Sequence, residues 1–139
     1  MILLDVNNLS GQIPKEIFAL TQLTTLTMDG NKNITGTIPT LIGNLKHLKY
    51  LDLDDNNLNG TLPAELFTLT SLMVLDLDSN KLQGRIPTEM NFAANLTFIQ
   101  LYDNELTGPI PDLSNLKGLS EYHFCQTLIV QNPLCYVCR

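Results

Sequence analysis

The stretch Leu48-Lys49-Tyr50-Leu51-Asp52-Leu53-Asp54-Asp55-Asn56-Asn57-Leu58-Asn59-Gly60-Thr61-Leu62-Pro63 decides the fold. Within it, Leu51-Asp52-Leu53-Asp54 alternates apolar and acidic side chains, the period of a half-buried strand. Gly60 marks a bend that needs positive φ or close backbone approach. After Pro63, Leu66, Leu69 and Leu72 recur at every third position, which suits a 3₁₀ or short helical stretch. Proline is expected in the first turn of that stretch, because its missing N–H would have no intrahelical partner there.

Working outward, the same unit returns along the chain. Gly-x-[Ile/Leu]-Pro occurs from Gly11, Gly36, Gly60, Gly84 and Gly108, with spacings of 25, 24, 24 and 24 residues. The extra residue of the second unit lies in Gly30-Asn31-Lys32-Asn33. Alternating apolar pairs precede each glycine: Ile2/Leu4, Leu26/Met28, Leu51/Leu53, Leu75/Leu77 and Ile99/Leu101. One unit cannot bury its own apolar face, but stacked units share a continuous core. The 27 leucines of the 139-residue chain are therefore a few apolar positions repeated coil after coil. At a strand spacing of ~4.8 Å the stack is roughly 25 Å long. Between strand and bend runs a column of asparagines, Asn7, Asn31, Asn56, Asn80 and Asn104. Their amides are expected to pair backbone groups of their own coil and the next.

Composition removes several function classes. A net charge of −6 and a sequence pI near 4.6 argue against a nucleic-acid or anionic-membrane surface. No apolar run approaches the ~18–20 residues of a membrane span. The start, Met1-Ile2-Leu3-Leu4-Asp5, lacks the basic region of a signal peptide. Nucleophile elbow, phosphate loop, dinucleotide fingerprint and His-Glu-x-x-His are all missing, so neither an enzyme nor a cofactor is expected. Exposed aspartates in a flat ladder could pair for glycoside hydrolysis, but equal environments would not set one pKa above the other.

The repeated unit resembles the plant-specific class of leucine-rich repeat, from Ile2 to about Phe124, with Gly-x-[Ile/Leu]-Pro as its distinguishing segment. The resemblance implies an α/β solenoid. It would be a right-handed superhelix with a parallel sheet on its concave face, 3₁₀ or helical segments on its convex side and a second short strand near each glycine. Residues 1–124 would form five full coils plus a partial sixth, and 125–139 a cysteine-bearing cap or tail. Such repeats build receptor-like kinase ectodomains, receptor-like proteins and polygalacturonase inhibitors, which bind peptides, co-receptors or cell-wall enzymes without catalysis. This chain has fewer repeats than those proteins commonly do and no N-terminal cysteine cap. It therefore reads as a fragment or short member, extracellular or at the cell surface within a longer chain. If Met1 is the true start, it would be a cytoplasmic scaffold instead. Strand Ile2/Leu4, at an uncovered edge, is expected to fray.

Outward strand positions form three columns: Asp5, Asp29, Asp54, Asp78, Tyr102; then Leu3, Thr27, Asp52, Asp76, Gln100, His123; then Thr25, Tyr50, Val74, Phe98, Glu121. The expected contact surface is Tyr50, Asp52, Asp54, Val74, Asp76, Asp78, Phe98, Gln100, Tyr102 and His123, an acidic stripe with aromatic islands. It would suit a protein or peptide carrying a basic patch. An ordinary solvated face is the competing reading, and the threonine and asparagine ladders leave a carbohydrate- or ice-binding surface open. Sequons stand at Asn8, Asn33, Asn59 and Asn95. The cysteines, Cys125, Cys135 and Cys138, cluster after the last repeat. They fit a disulfide cap, as the resemblance also implies, pairing Cys125 with Cys135 or Cys138. A zinc site with His123, a redox pair and free thiols are the other readings. No metal is assigned.

Overall fold

The computed structural model describes residues 1–124, which form a solenoid of two parallel sheets joined by 3₁₀ turns. Cys125, Cys135 and Cys138 lie outside the described residues, and so do the cap and disulfide expected there.

The alternating segments become short strands: β1 (Ile2–Leu3), β3 (Thr25–Thr27), β5 (Tyr50–Asp52), β7 (Val74–Asp76), β9 (Phe98–Gln100) and β11 (Glu121–His123). They pair in that order into a six-stranded main sheet. The segments around each glycine are strands too: β2 (Ser10–Gln12), β4 (Asn33–Thr37), β6 (Asn57–Thr61), β8 (Lys81–Arg85) and β10 (Glu105–Thr107). These form a second, five-stranded sheet. Gly60 shows why a glycine is needed at the bend. Its φ is +76°, and an added Cβ would lie 2.7 Å from Thr37 Cγ2, so a side chain there is both strained and blocked.

A second left-handed position precedes each ladder asparagine: Val6, Gly30, Asp55, Ser79 and Asp103 all have positive φ. Sequence reading missed this column. Its signal is weak, since only Asp, Ser and Gly hint at it, and Val6 contradicts them.

Four 3₁₀ helices, Lys15–Ala19, Thr40–Asn44, Ala64–Thr68 and Thr88–Phe92, follow the first four motif prolines. Each proline sits one residue before the helix in extended conformation, rather than inside the first turn as expected. Its contribution is the carbonyl, which accepts the N–H three residues on, as from Leu66 to Pro63 at 3.1 Å. After Pro111 no such helix forms among the described residues. The shortened spacing leaves only the turns from Leu113 to Leu116 and Leu116 to Leu119.

The core is one column per apolar position. Leu26, Leu51, Leu75 and Ile99 are completely buried, as are Leu58, Leu82 and Leu106 on the second sheet's side. Phe18 and Phe67 fill the 3₁₀ side. Truncating such a side chain to alanine costs about 2–5 kcal/mol. At the first coil, by contrast, Leu3, Leu4 and Val6 are exposed.

The asparagines stitch the coils together. Asn80 Nδ2 donates to Leu77 O and Asp78 O of its own coil and to Leu53 O of the preceding one, while its Oδ1 accepts Leu58 N–H. Asn104 repeats this pattern against Leu77, Leu101, Tyr102 and Leu82. The direction differs from the sequence expectation, because each amide reaches back to the preceding coil rather than forward. Asn7 stands apart. It is exposed and bonds only Asp5 O, with no earlier described coil beside it. Asn31 and Asn56 both donate as the others do, but Asn56 Oδ1 is buried without a partner. The inserted residue explains it. Ile34 N–H, which would serve Asn56, turns instead to Asn31 O at 2.8 Å.

Candidate functional site

The register of the main sheet brings the outward residues into lateral contact. Thr25, Tyr50, Val74, Phe98 and Glu121 are consecutive partners, and so are Thr27, Asp52, Asp76, Gln100 and His123. Tyr50 is 43% exposed, with nothing on the sheet requiring its ring. Phe98, Tyr102, Val74 and His123 are half-buried.

The acidic stripe is less exposed than the sequence suggests. Asp78 is only 4% exposed, so it does not belong to the contact surface expected of it. It lies beneath the surface, accepting Ser79 Oγ at 2.9 Å and hydrogen-bonding the Tyr102 phenol. Tyr102 covers it from the next coil, and the aspartate becomes support for the aromatic rather than a free charge.

The other aspartates are packed closely enough to resist ionisation. Burial pushes the Asp76 carboxyl up to about 8, aided by the hydrogen bond and charge of Asp78 and by the charge of Asp52. Burial likewise takes Asp54 to about 7, with Asp52 as its nearest repelling charge and hydrogen-bond partner. Asp29 rises to about 6 through burial and then through the hydrogen bond and charge of Asp5. Asp52 is raised by burial, against hydrogen bonds from Asp54 that pull it down. Burial and Asp78 push the Tyr102 hydroxyl up to about 12. Two carboxyls can share one hydrogen bond only with a proton between them. Asp29, Asp54 and Asp76, each raised by burial and by a neighbouring carboxyl, therefore leave the expected uniform negative ladder partly neutral.

A polar chain extends this cluster along the sheet. Gln100 Nε2 donates to Asp76 Oδ2 at 2.9 Å, and Gln100 Oε1 lies 3.1 Å from His123 Nδ1. The His123 ring meets Tyr102 edge to face at 6.3 Å. Sequence reading placed these residues in columns but not in this bridge, because a glutamine at a strand position carries no sign of which neighbours it joins. The carboxyl oxygens of Asp29, Asp52 and Asp54 converge within 4.8 Å, close enough for one cation to contact all three. Acidic surfaces converge in this way without an ion, and no other feature of the cluster points to a metal.

The sequence model of the leucine-rich repeat matches residues 21–82 and 46–106, and the chain belongs to the leucine-rich repeat family. Its solved structural neighbours are ectodomains of plant receptor kinases, which places the repeats in the plant-type class. The plant peptide hormone receptor RGFR1, solved in complex with RGF2, is 42% identical over 82% of this chain and 18% of its own, with a TM-score of 0.79. The ectodomain of the receptor kinase SOBIR1 from Arabidopsis thaliana is 29% identical over 91% of this chain and 71% of its own, with a TM-score of 0.85. The Arabidopsis receptor kinase HAESA, solved with the peptide hormone IDA and the co-receptor SERK1, is 31% identical over 91% of this chain and 21% of its own, with a TM-score of 0.83. The chain thus spans less than a fifth of the length of the first of these relatives. No curated protein matches the chain. Among the described residues, no helix is long and apolar enough to cross a membrane.

Proposed function

We propose that the chain is a non-catalytic recognition module that binds a protein or peptide across its main sheet, as part of an extracellular receptor or inhibitor. The carrying observation is the exposure of Tyr50 in one register-aligned row with Val74 and Phe98, next to the row of Asp52 and Asp76. Outward aromatic side chains beside carboxyls fit a ligand that brings both apolar contacts and Lys or Arg. The relatives solved with peptide hormones support this reading. Contact falls to Tyr50, Asp52, Asp54, Val74, Asp76, Phe98, Gln100, Tyr102 and His123, with Asp78 as the support below Tyr102.

The test is titration with a library of Lys/Arg-containing peptides at pH 8, where more of the stripe is ionised. The double variant D52N/D54N is expected to weaken the best binder at least tenfold and to flatten its salt dependence. Unchanged affinity and salt dependence would refute binding by the stripe.

A further inference from the structure

A groove of ≈ 570 Å³ runs along the stack at the edge of the main sheet, outside the acidic site. The 24-residue step builds it. Lys49, Met73 and Thr97, each immediately before a strand, form one side, and Ser71, Asn95 and Gly118 form the other. Its volume is that of a small-ligand pocket, in the range of about 300–1,000 Å³. Gly118 keeps one end open, since it presents no side chain where a Cβ would meet only Thr97 Cγ2 at 3.7 Å and Leu96 O at 3.9 Å.

One wall residue carries its own candidate occupant. Asn95-Leu96-Thr97 is a sequon, and both Asn95 and Thr97 line the groove. Asn95 lies on an exposed turn, whereas Asn33 and Asn59 lie within β4 and β6, and none of the other sequon asparagines lines the groove. Asn95 Nδ2 donates one hydrogen to Thr70 O of the preceding coil at 2.7 Å. A glycosylated asparagine amide retains one N–H, so the bond that orients this side chain survives modification.

We propose that Asn95 is N-glycosylated and that the first sugars of its glycan seat in this groove. The proposal rests on the extracellular reading above, because the donor belongs to the secretory pathway. That donor is a lipid-linked diphospho-oligosaccharide. Nδ2 of Asn95 bonds to C1 of its N-acetylglucosamine, the C1–O bond to diphosphate breaks, the lipid diphosphate leaves, and Nδ2 loses one proton. The Lys49 ammonium and Ser71 hydroxyl are placed to donate to sugar oxygens, and Met73 offers an apolar contact for the acetamido methyl.

The test is to export the chain from a plant cell host under a heterologous signal peptide and resolve glycan occupancy at each sequon by peptide mass spectrometry. Release of the Asn95 glycan by a glycosylasparagine amidase is then timed on native protein. G118L fills the groove against Thr97 while leaving the sequence of the sequon unchanged, and the double variant K49A/S71A removes the polar contacts while leaving the core intact. The expected result is an occupied Asn95 whose glycan is released at least tenfold more slowly from the parent chain than from either variant. An unmodified Asn95, or equal release from the parent and K49A/S71A, would overturn the proposal. These readouts involve no peptide ligand, so loss of peptide binding by the sheet would sink the recognition reading and leave this one standing.

Discussion

Asn80 Oδ1 accepts the backbone N–H of Leu58 at 2.9 Å, and through that bond the fourth coil is fastened to the third. Asn80 also satisfies three backbone carbonyls, all in buried surroundings. Replacing it by alanine leaves the buried Leu58 N–H without a partner, while Leu53 O, Leu77 O and Asp78 O keep the donors Asn56 Nδ2, Asn104 Nδ2 and Asp55 N–H. N80A is expected to lower stability by about 1–3 kcal/mol. N7A, at the exposed first coil, should change it by a few tenths at most. Chemical denaturation of both variants checks the contrast.

The residue inserted in the second coil leaves its mark on the third, where the buried Asn56 Oδ1 has no partner. Deleting Lys32 returns the second coil to the 24-residue step and frees Ile34 N–H to reach Asn56. The deletion also removes the ion pair between Lys32 and Asp55 at 3.6 Å, which is exposed and worth little. A net gain of about 1 kcal/mol is expected, whereas K32A should be neutral. A destabilised deletion, read by thermal unfolding, would show that the insertion is needed rather than tolerated.

The raised carboxyls of Asp29, Asp54 and Asp76 give the protein an unusual pH dependence. The folded carboxyls of Asp29, Asp54 and Asp76 hold protons up to about pH 6, 7 and 8, whereas in the unfolded chain they release them near pH 4. Between these limits the folded state binds more protons, so stability falls as pH rises from about 4 to about 8. Thermal midpoints should decline across that window. D76N stays neutral throughout and should make the decline shallower. A midpoint that instead rises from pH 5 to pH 8 would show that these carboxyls ionise freely.

Most of the fold is legible in the sequence because the 24-residue step repeats each signal. Alternation at Leu51/Leu53, the bend at Gly60 and the triplet Leu66/Leu69/Leu72 each recur at the same offsets, and the sheets follow from stacking them. The columns of outward residues were legible for the same reason. Depth was not. Asp54 and Asp78 occupy equivalent places in the repeat, yet Asp78 is covered because the next coil supplies Tyr102, where the coil after Asp54 supplies Asp78 itself. Which neighbour covers an outward side chain depends on the size of a residue one coil away, and periodicity carries no information about that. The orphaned Asn56 Oδ1 is similar. The extra residue was visible near Lys32, but its cost falls on the following coil.

The central claim is that a ligand lies across the outward face of β5, β7 and β9. The most direct measurement is a comparison of affinities for the best peptide binder between the parent chain, Y50S/F98S on that face, and F92S on the 3₁₀ side, where Phe92 is 63% exposed. The account expects Y50S/F98S to weaken binding at least tenfold, in keeping with ~1.4 kcal/mol or more from buried aromatic contacts, and F92S to leave it unchanged. Unaltered affinity in Y50S/F98S, with loss in F92S, would contradict it.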